Sequence, residues 1–173
     1  MRAARYDEDS RSYDALYADE QLTKLEAALG AGWKARGRLV DFGCGTALLT
    51  SRLARGCDAA VGVDVSIGML RLAKRRRKVD LVLADASWPP LRPGAFDSLV
   101  CFTSFQNFRR KREAMKGMVA CLQEDGSAVF SLLWRGEAAN DESIVLRQGG
   151  LALQRRLKAG NDSVLLMTKR RAP

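Results

Sequence analysis

Between residues 38 and 134, five short apolar runs alternate with helix-length or turn-rich segments, and this rhythm narrows what the chain can fold into. The runs are "RLVDF" (38–42), "AAVGVD" (59–64), "VDLVLAD" (79–85), "AFDSLVCFTSF" (95–105) and "GSAVFSLLW" (126–134). Between them, "TALLTSRLAR" (46–55), "SIGMLRLAKRRRK" (66–78) and "RRKREAMKGMVACL" (109–122) read as helices, the second with Met69, Leu70 and Ala73 inward. "SWPPLRPG" is a turn-rich connection. Strand–helix–strand order predicts parallel strands covered on both faces, because parallel neighbours need a crossover connection.

The flanks complete the outline. "DEQLTKLEAALGAGW" places Leu22, Leu25 and Leu29 at helical spacing, with Gly30 or Gly32 as the stop. "NDESIVLRQGG" predicts a short helix, and "LALQRRL" with "DSVLLMTKR" a hairpin joined by "KAGND", which adds an antiparallel edge. At 173 residues, with no repeats or low-complexity linkers, one domain is expected. It divides into an N-terminal helical cap (1–35), a ligand-binding core (36–134) and C-terminal strands (135–173).

Composition removes several chemistries. The chain has no histidine, and its four cysteines form no CxxC pair, which argues against a zinc cluster, a disulfide scaffold and imidazole catalysis; no metal is expected. There is no apolar run of 18 residues and no signal-like segment in "MRAARYDEDSRSYD", so a soluble, cytoplasmic protein without membrane contact is expected. A net charge of +9 suits an anionic partner such as nucleic acid, and equally an Arg-rich soluble surface.

Open α/β sheets bind ligands beyond the carboxyl ends of their strands. Here the first three runs end in Asp41, Asp64 and Asp85, and Asp41 leads into Gly43 and Gly45. The glycines permit a tight turn whose amides favour an electron-rich group. Asp41 suits a cationic group, and Asp64, 21 residues after Gly43, suits the two hydroxyls of a ribose. Asp85 with Ala86 suits an adenine edge, and Met69, Phe102 and Trp88 are candidate walls. Read singly, the GxG is a turn and each acid a helix cap; the ordered set of three carries the ligand reading. A dinucleotide loop needs a third glycine where Leu48 stands, and Asp41 would repel a pyrophosphate; no GK[ST] is present.

The order "VDFGCGTALLTSRLA … VGVDVSIGMLRLAK … LVLADASWPPLRPGAFDSLVCFTSFQNF" resembles a class I, Rossmann-like S-adenosylmethionine-dependent methyltransferase of the small methyltransferase-domain subtype, over residues 39 to 134. The resemblance implies a three-layer α/β/α sandwich with a mostly parallel seven-stranded sheet in order 3-2-1-4-5-7-6 and S-adenosylmethionine as cofactor. The implied binding set is Asp41, Phe42, Gly43, Cys44, Gly45, Asp64, Val65, Ser66, Met69, Asp85, Ala86 and Phe102. Ala47 replaces the third glycine of the family's loop; placed in the first helical turn, it is expected to be tolerated.

The acceptor is less legible. Tyr13, Tyr17, Ser104 and Gln106 are candidates to orient it, with no base singled out, and Tyr13 and Tyr17 are also candidates for a lid over the cofactor. "TSFQNF" lacks the Asn/Asp-Pro-Pro-aromatic stretch of enzymes that methylate amide or exocyclic nitrogens, and Cys101 reads as packing rather than a nucleophile. "KRRRK" (74–78) is expected away from the site and "RRKR" (109–112) beside it, opening a helix. A short segment after the fifth run, bordered by Trp134 and Arg135, leaves an open site, favouring RNA or protein acceptors over a metabolite. The alternatives are a small-molecule methyltransferase and a non-catalytic, methyltransferase-like RNA- or protein-binding subunit.

Overall fold

The computed structural model describes residues 2–76, 78–133, 138–147 and 150–171, with side chains from Asp14 onward except those of Ala15, Ala138 and Ala139. In chain order the elements are α1 (Arg2–Gly30), β1 (Arg38–Phe42), α2 (Leu48–Leu53), β2 (Ala59–Asp64), α3 (Ile67–Ala73), β3 (Asp80–Leu83) and β4 (Phe96–Phe102). They continue with α4 (Lys111–Cys121), β5 (Leu122–Leu133), α5 (Ala138–Arg147), β6 (Leu151–Ala159) and β7 (Asp162–Lys169). The seven strands form one sheet in the order β3-β2-β1-β4-β5-β7-β6, as the resemblance implied. β1 to β5 pair in parallel, and β7 runs antiparallel to both β5 and β6.

Alternate residues of the central strands feed two cores, one on each face of the sheet. Leu39, Val100 and Val129 pack with Leu25, Ala28 and Trp33 from α1 and its exit, and with Leu49 and Leu53 of α2. Val40, Leu99, Cys101 and Phe130 pack with Met115 and Met118 of α4, Val145 of α5, and the 84–95 connection. A strand buried on both faces reads as a continuous apolar run, which is why these strands stand out in the sequence. Among the described residues no helix is long and apolar enough to cross a membrane.

Several boundaries differ from expectation. α1 begins at Arg2 rather than in the 19–33 segment, and Leu29 is exposed while Lys24 is buried in its place. α2 starts at Leu48, two residues later than Thr46, because Ala47 is left-handed at φ 56° and cannot belong to a helical turn. Arg109 and Arg110 precede α4 rather than open it, and β5 begins directly at Leu122, with its register against β4 shifting between Phe96 and Ser98. α3 ends at Ala73, leaving the 74–78 cations beyond it. One of them, Arg76, does not lie away from the site: its Nη2 donates to Asp14 Oδ2 at 2.6 Å.

Candidate functional site

Strand order reverses at β1, whose neighbours are β2 and β4, and ligand crevices open at such switch points. The chain leaving β1 places Gly43, Gly45 and Ala47 at φ 75°, 55° and 56°. Ala47 thus takes the backbone conformation that a third glycine would take, at a cost of about 1–2 kcal/mol for its Cβ. Its N–H donates to Cys44 O at 2.8 Å, and its carbonyl accepts from Ser51 N at 3.0 Å, so the conformation is held from both sides.

The two glycines have different roles. A Cβ on Gly43 would stand 2.4 Å from Ser104 Cβ, so this position lets the turn after β4 close on the turn after β1. Ser104 Oγ lies 2.9 Å from Gly43 O and 3.0 Å from Phe102 O. A Cβ on Gly45 would meet nothing within 4 Å, so its open side belongs to the cleft. The loop amides are not free for an anion, contrary to the sequence expectation. Gly43 and Cys44 N–H both donate to Val63 O, at 2.8 and 3.1 Å, and Gly45 N–H donates to Asp64 Oδ2 at 2.8 Å. Asp64 Oδ1 accepts from Ser66 N–H at 2.9 Å, so this acid ties the loop to the end of β2.

Between this loop and α1 lies a cleft. Asp14, Tyr17 and Gln21 line it from the helix, Phe102 and Ser104 from the end of β4, and Asp41 with the glycine loop from beneath. No Lys or Arg is among its described lining residues. Asp41 is buried and accepts from Thr50 Oγ1 at 2.5 Å. Burial pushes its carboxyl up to about 7; the Thr50 hydrogen bond opposes the rise and the charge of Asp64 adds to it. Burial, together with the Asp41 and Asp64 charges, also holds the Cys44 thiol well above its ordinary range. Cys101 is buried and its thiol likewise raised, chiefly by burial, so neither cysteine presents a ready thiolate.

The other sequence candidates take varied places. Phe42 is fully buried in the sheet core and Met69 is buried beneath α3. Ser66 caps α3, accepting from Met69 N at 3.2 Å. Val65 and Asp85 are exposed outside the cleft, and Ala86 is buried. Asp85 Oδ1 accepts from Ser87 N at 2.8 Å. Gln106 Nε2 donates to Thr103 O at 2.8 Å, bracing the turn after β4. Tyr13 is on α1 with its side chain outside the described set, and Trp134 and Arg135 lie outside the described residues.

Sequence reasoning missed a buried polar cluster behind the cleft. Lys24 Nζ donates to Glu20 Oε1 (2.6 Å) and Thr103 Oγ1 (2.8 Å) and sits 3.1 Å from Asp162 Oδ2. Ser131 Oγ donates to Asp162 Oδ2 at 2.8 Å and accepts from Thr103 N–H at 3.0 Å. Thr103, at φ 48°, is thereby fixed just before Ser104. The signal was present: Lys24 shares a helical face with Gln21 and Ala28, one residue from Leu25. Asp14 was missed as well; its Oδ1 accepts from Thr46 Oγ1 at 2.5 Å, linking α1 to the glycine loop.

The donor set fits S-adenosylmethionine. Its sulfonium and ammonium are cations, and the cleft lining carries Asp41 and Asp14, the latter also paired with Arg76; its ribose has two hydroxyls to give to Asp64. Residues 40–130 match the family model described as a methyltransferase domain. The chain is 33% identical over 132 residues to malonyl-[acyl-carrier protein] O-methyltransferase of Geobacter sulfurreducens, covering 72% of this chain and 49% of that protein. It is 32% identical over 106 residues to the 18S rRNA (guanine-N(7))-methyltransferase of Mus musculus, covering 58% and 37%. In fold it is similar to a chain of the solved complex between a Haloferax volcanii methyltransferase activator and a methyltransferase. The TM-score is 0.84 at 12% identity, over 96% of this chain and 98% of that one. The chain spans about half the length of the first curated relatives it matches. It belongs to the methyltransferase domain family, in its class I, Rossmann-like, S-adenosylmethionine-dependent form.

Proposed function

We propose that this chain transfers the methyl group of S-adenosylmethionine to an acceptor entering over the end of β4, with RNA or protein favoured over a free metabolite. The observation that carries the reading is the meeting of Asp41 and the glycine loop beneath α1 at the switch between β1 and β4, with Asp64 bonded to the loop through Gly45 N–H. When bound, the cofactor supplies a methyl already activated by the sulfonium. The chain's residues then have to bind, align and exclude water. Asp64 holds the ribose hydroxyls, Asp41 faces the cationic amino-acid end, and Asp85 with Ala86 borders the adenine. Tyr17 and Ser104 face the cleft where the acceptor is aligned.

The relatives divide over the acceptor: one acts on a carrier-protein-bound malonyl group, another on 18S rRNA, and another is a demethylmenaquinone methyltransferase. The solved activator complex supports a partner protein for this fold. Four free cysteines support a reducing, cytoplasmic setting.

Calorimetric titration with S-adenosylmethionine tests the cofactor, with micromolar binding expected. Asp64→Ala is expected to weaken it at least tenfold, about 1.4 kcal/mol. Absence of binding to the unmodified chain overturns the reading. Labelled-methyl transfer to fractionated RNA, protein and metabolite pools then identifies the acceptor.

A further inference from the structure

We propose that Trp88 and the cations Arg109, Arg110, Arg112 and Lys116 form a docking surface for single-stranded nucleic acid at the lip of the cleft. This deepens the methyltransferase reading and rests on it for the role of the bound strand, which is to bring a base to the cleft.

Trp88 is 66% exposed, although an indole ring gains much from burial. Its backbone is firmly held. Trp88 N–H donates to Asp85 O at 2.9 Å, and Ser87 Oγ lies 3.4 Å from Arg110 O. Pro89 packs so closely on α4 that a Cβ on Gly117 would stand 2.9 Å from its Cδ. The ring is therefore presented from a fixed stalk. The Arg110 guanidinium carbon lies 6.0 Å from its centroid, at the outer reach of a cation–π contact.

The cations next to it form a stripe. Arg112 and Lys116 lie one turn apart on α4, Arg109 lies in the turn that leads into it, and all three are exposed. Neither they nor Arg110 form an ion pair with a described residue, whereas Lys111 turns inward to Asp141 at 2.6 Å. Arg112 and Lys116 repel at i, i+4, and cations ahead of a helix oppose its dipole. The only acid in α4 is Glu113. The arrangement works against local helix stability, so stability does not account for it. The stripe also starts beside the cleft: Phe108 Cε1 is 3.8 Å from where a Gly43 Cβ would stand.

A flat exposed ring flanked by unpaired guanidinium groups matches a strand whose bases stack and whose phosphates follow the cations. An acidic peptide would satisfy the charges and leave the indole without a use.

Fluorescence anisotropy with a labelled 12-nucleotide single-stranded RNA of mixed sequence tests the proposal. DNA of the same sequence, the RNA duplex and a polyglutamate peptide serve as further arms. Micromolar binding of both single strands is expected at 50 mM salt, with the duplex about tenfold weaker, since paired bases cannot stack on the ring. Trp88→Ala is expected to weaken strand binding about tenfold at every salt concentration while leaving the salt slope unchanged. Arg109→Gln with Arg112→Gln is expected to flatten that slope by about 1.4, at about 0.7 per phosphate. Calorimetry on Arg109→Gln with Arg112→Gln is expected to give unchanged cofactor affinity, and the melting temperatures of all the variants serve as a folding control. The proposal is overturned if Trp88→Ala binds RNA like the unmodified chain, or if duplex or polyglutamate binds as tightly as the strand. Strand binding that depends on Trp88 in a chain that takes no cofactor would leave the surface standing and remove the methyltransferase reading.

Discussion

Asp41 combines burial, a single hydroxyl partner and a nearby acid, and the combination sets a pH dependence that can be assigned to one residue. Its carboxyl titrates near 7 in the folded chain, against 3.8 when exposed. Between these values the folded state holds a proton that the unfolded state has released. Stability therefore falls as pH rises from about 4 to 7, by up to about 1.4 kcal/mol per unit, and levels above 7. The chain has no histidine to add its own titration to the upper part of that window. Asp41→Asn keeps an acceptor for Thr50 and removes the slope. Cofactor-free, it is expected to melt above the unmodified chain at pH 8, with the gap closing near pH 5, in thermal denaturation followed by circular dichroism. Cofactor affinity is expected to change in the opposite sense, since a cationic ligand prefers the ionised form: affinity rises from pH 6 to 8 in the unmodified chain and stays flat in the variant. Asp41 was legible in the sequence as a strand-end acid; its raised pKa was not, because it depends on burial in the folded chain and on the nearby charge of Asp64. Ala47 shows the same limit. A methyl in place of glycine was visible, yet its left-handed φ came only with the loop. A β-branched residue cannot hold that φ cheaply, so Ala47→Val is expected to cost at least about 2 kcal/mol in urea unfolding, whereas Ala47→Gly changes stability by less than about 1 kcal/mol.

At the scale of elements, the difference between β1 and α1 shows what a sequence pattern can reveal. β1 is buried on both faces, so "LVDF" reads as an apolar run with an acid at its end. α1 has no equivalent stripe before Leu22. Its earlier turns are joined to the fold by Asp14, which meets Thr46 and Arg76, and polar ties of this kind leave no periodicity. Further along the same helix, Lys24 is buried with Asp162, joining α1 to the ends of β4, β5 and β7. Losing one member of such a pair leaves a buried charge alone, which costs about 3–5 kcal/mol, whereas losing both can be nearly neutral. Lys24→Met is thus expected to lose about 3 kcal/mol in urea unfolding. Lys24→Met with Asp162→Asn is expected to recover most of it, because an amide still accepts from Ser131 and Thr103 without a charge to compensate. Additive losses in the double variant would show that the two side chains act independently.

At the scale of the whole molecule, the cleft exists because one helix bridges two regions of unequal hold. The C-terminal part of α1 is anchored by Leu25, Ala28 and Lys24, all buried. The turn carrying Asp14 and Tyr17 is tied through Asp14 to the buried Thr46 and to Arg76, the second an ion pair partly in water, with Asp14 37% and Arg76 34% exposed. Exposed ion pairs of this kind contribute about 0–1 kcal/mol, so this end of the helix opens at far lower cost than the rest. Opening it uncovers Asp41 and Gly45, the residues assigned to the cofactor. Hydrogen exchange is therefore expected to show protection rising along α1 from Asp14 to Ala28, and S-adenosylmethionine to raise protection selectively between Asp14 and Gln21. Asp14→Ala removes the ties to Thr46 and Arg76 together. It is expected to speed exchange in the 14–21 stretch about tenfold and to leave residues 24–28 unchanged, since a tenfold change corresponds to about 1.4 kcal/mol, the size of two such contacts. Uniform exchange along α1 in the unmodified chain would mean that the helix moves as one body, and cofactor entry would then require the buried Lys24–Asp162 pair to separate.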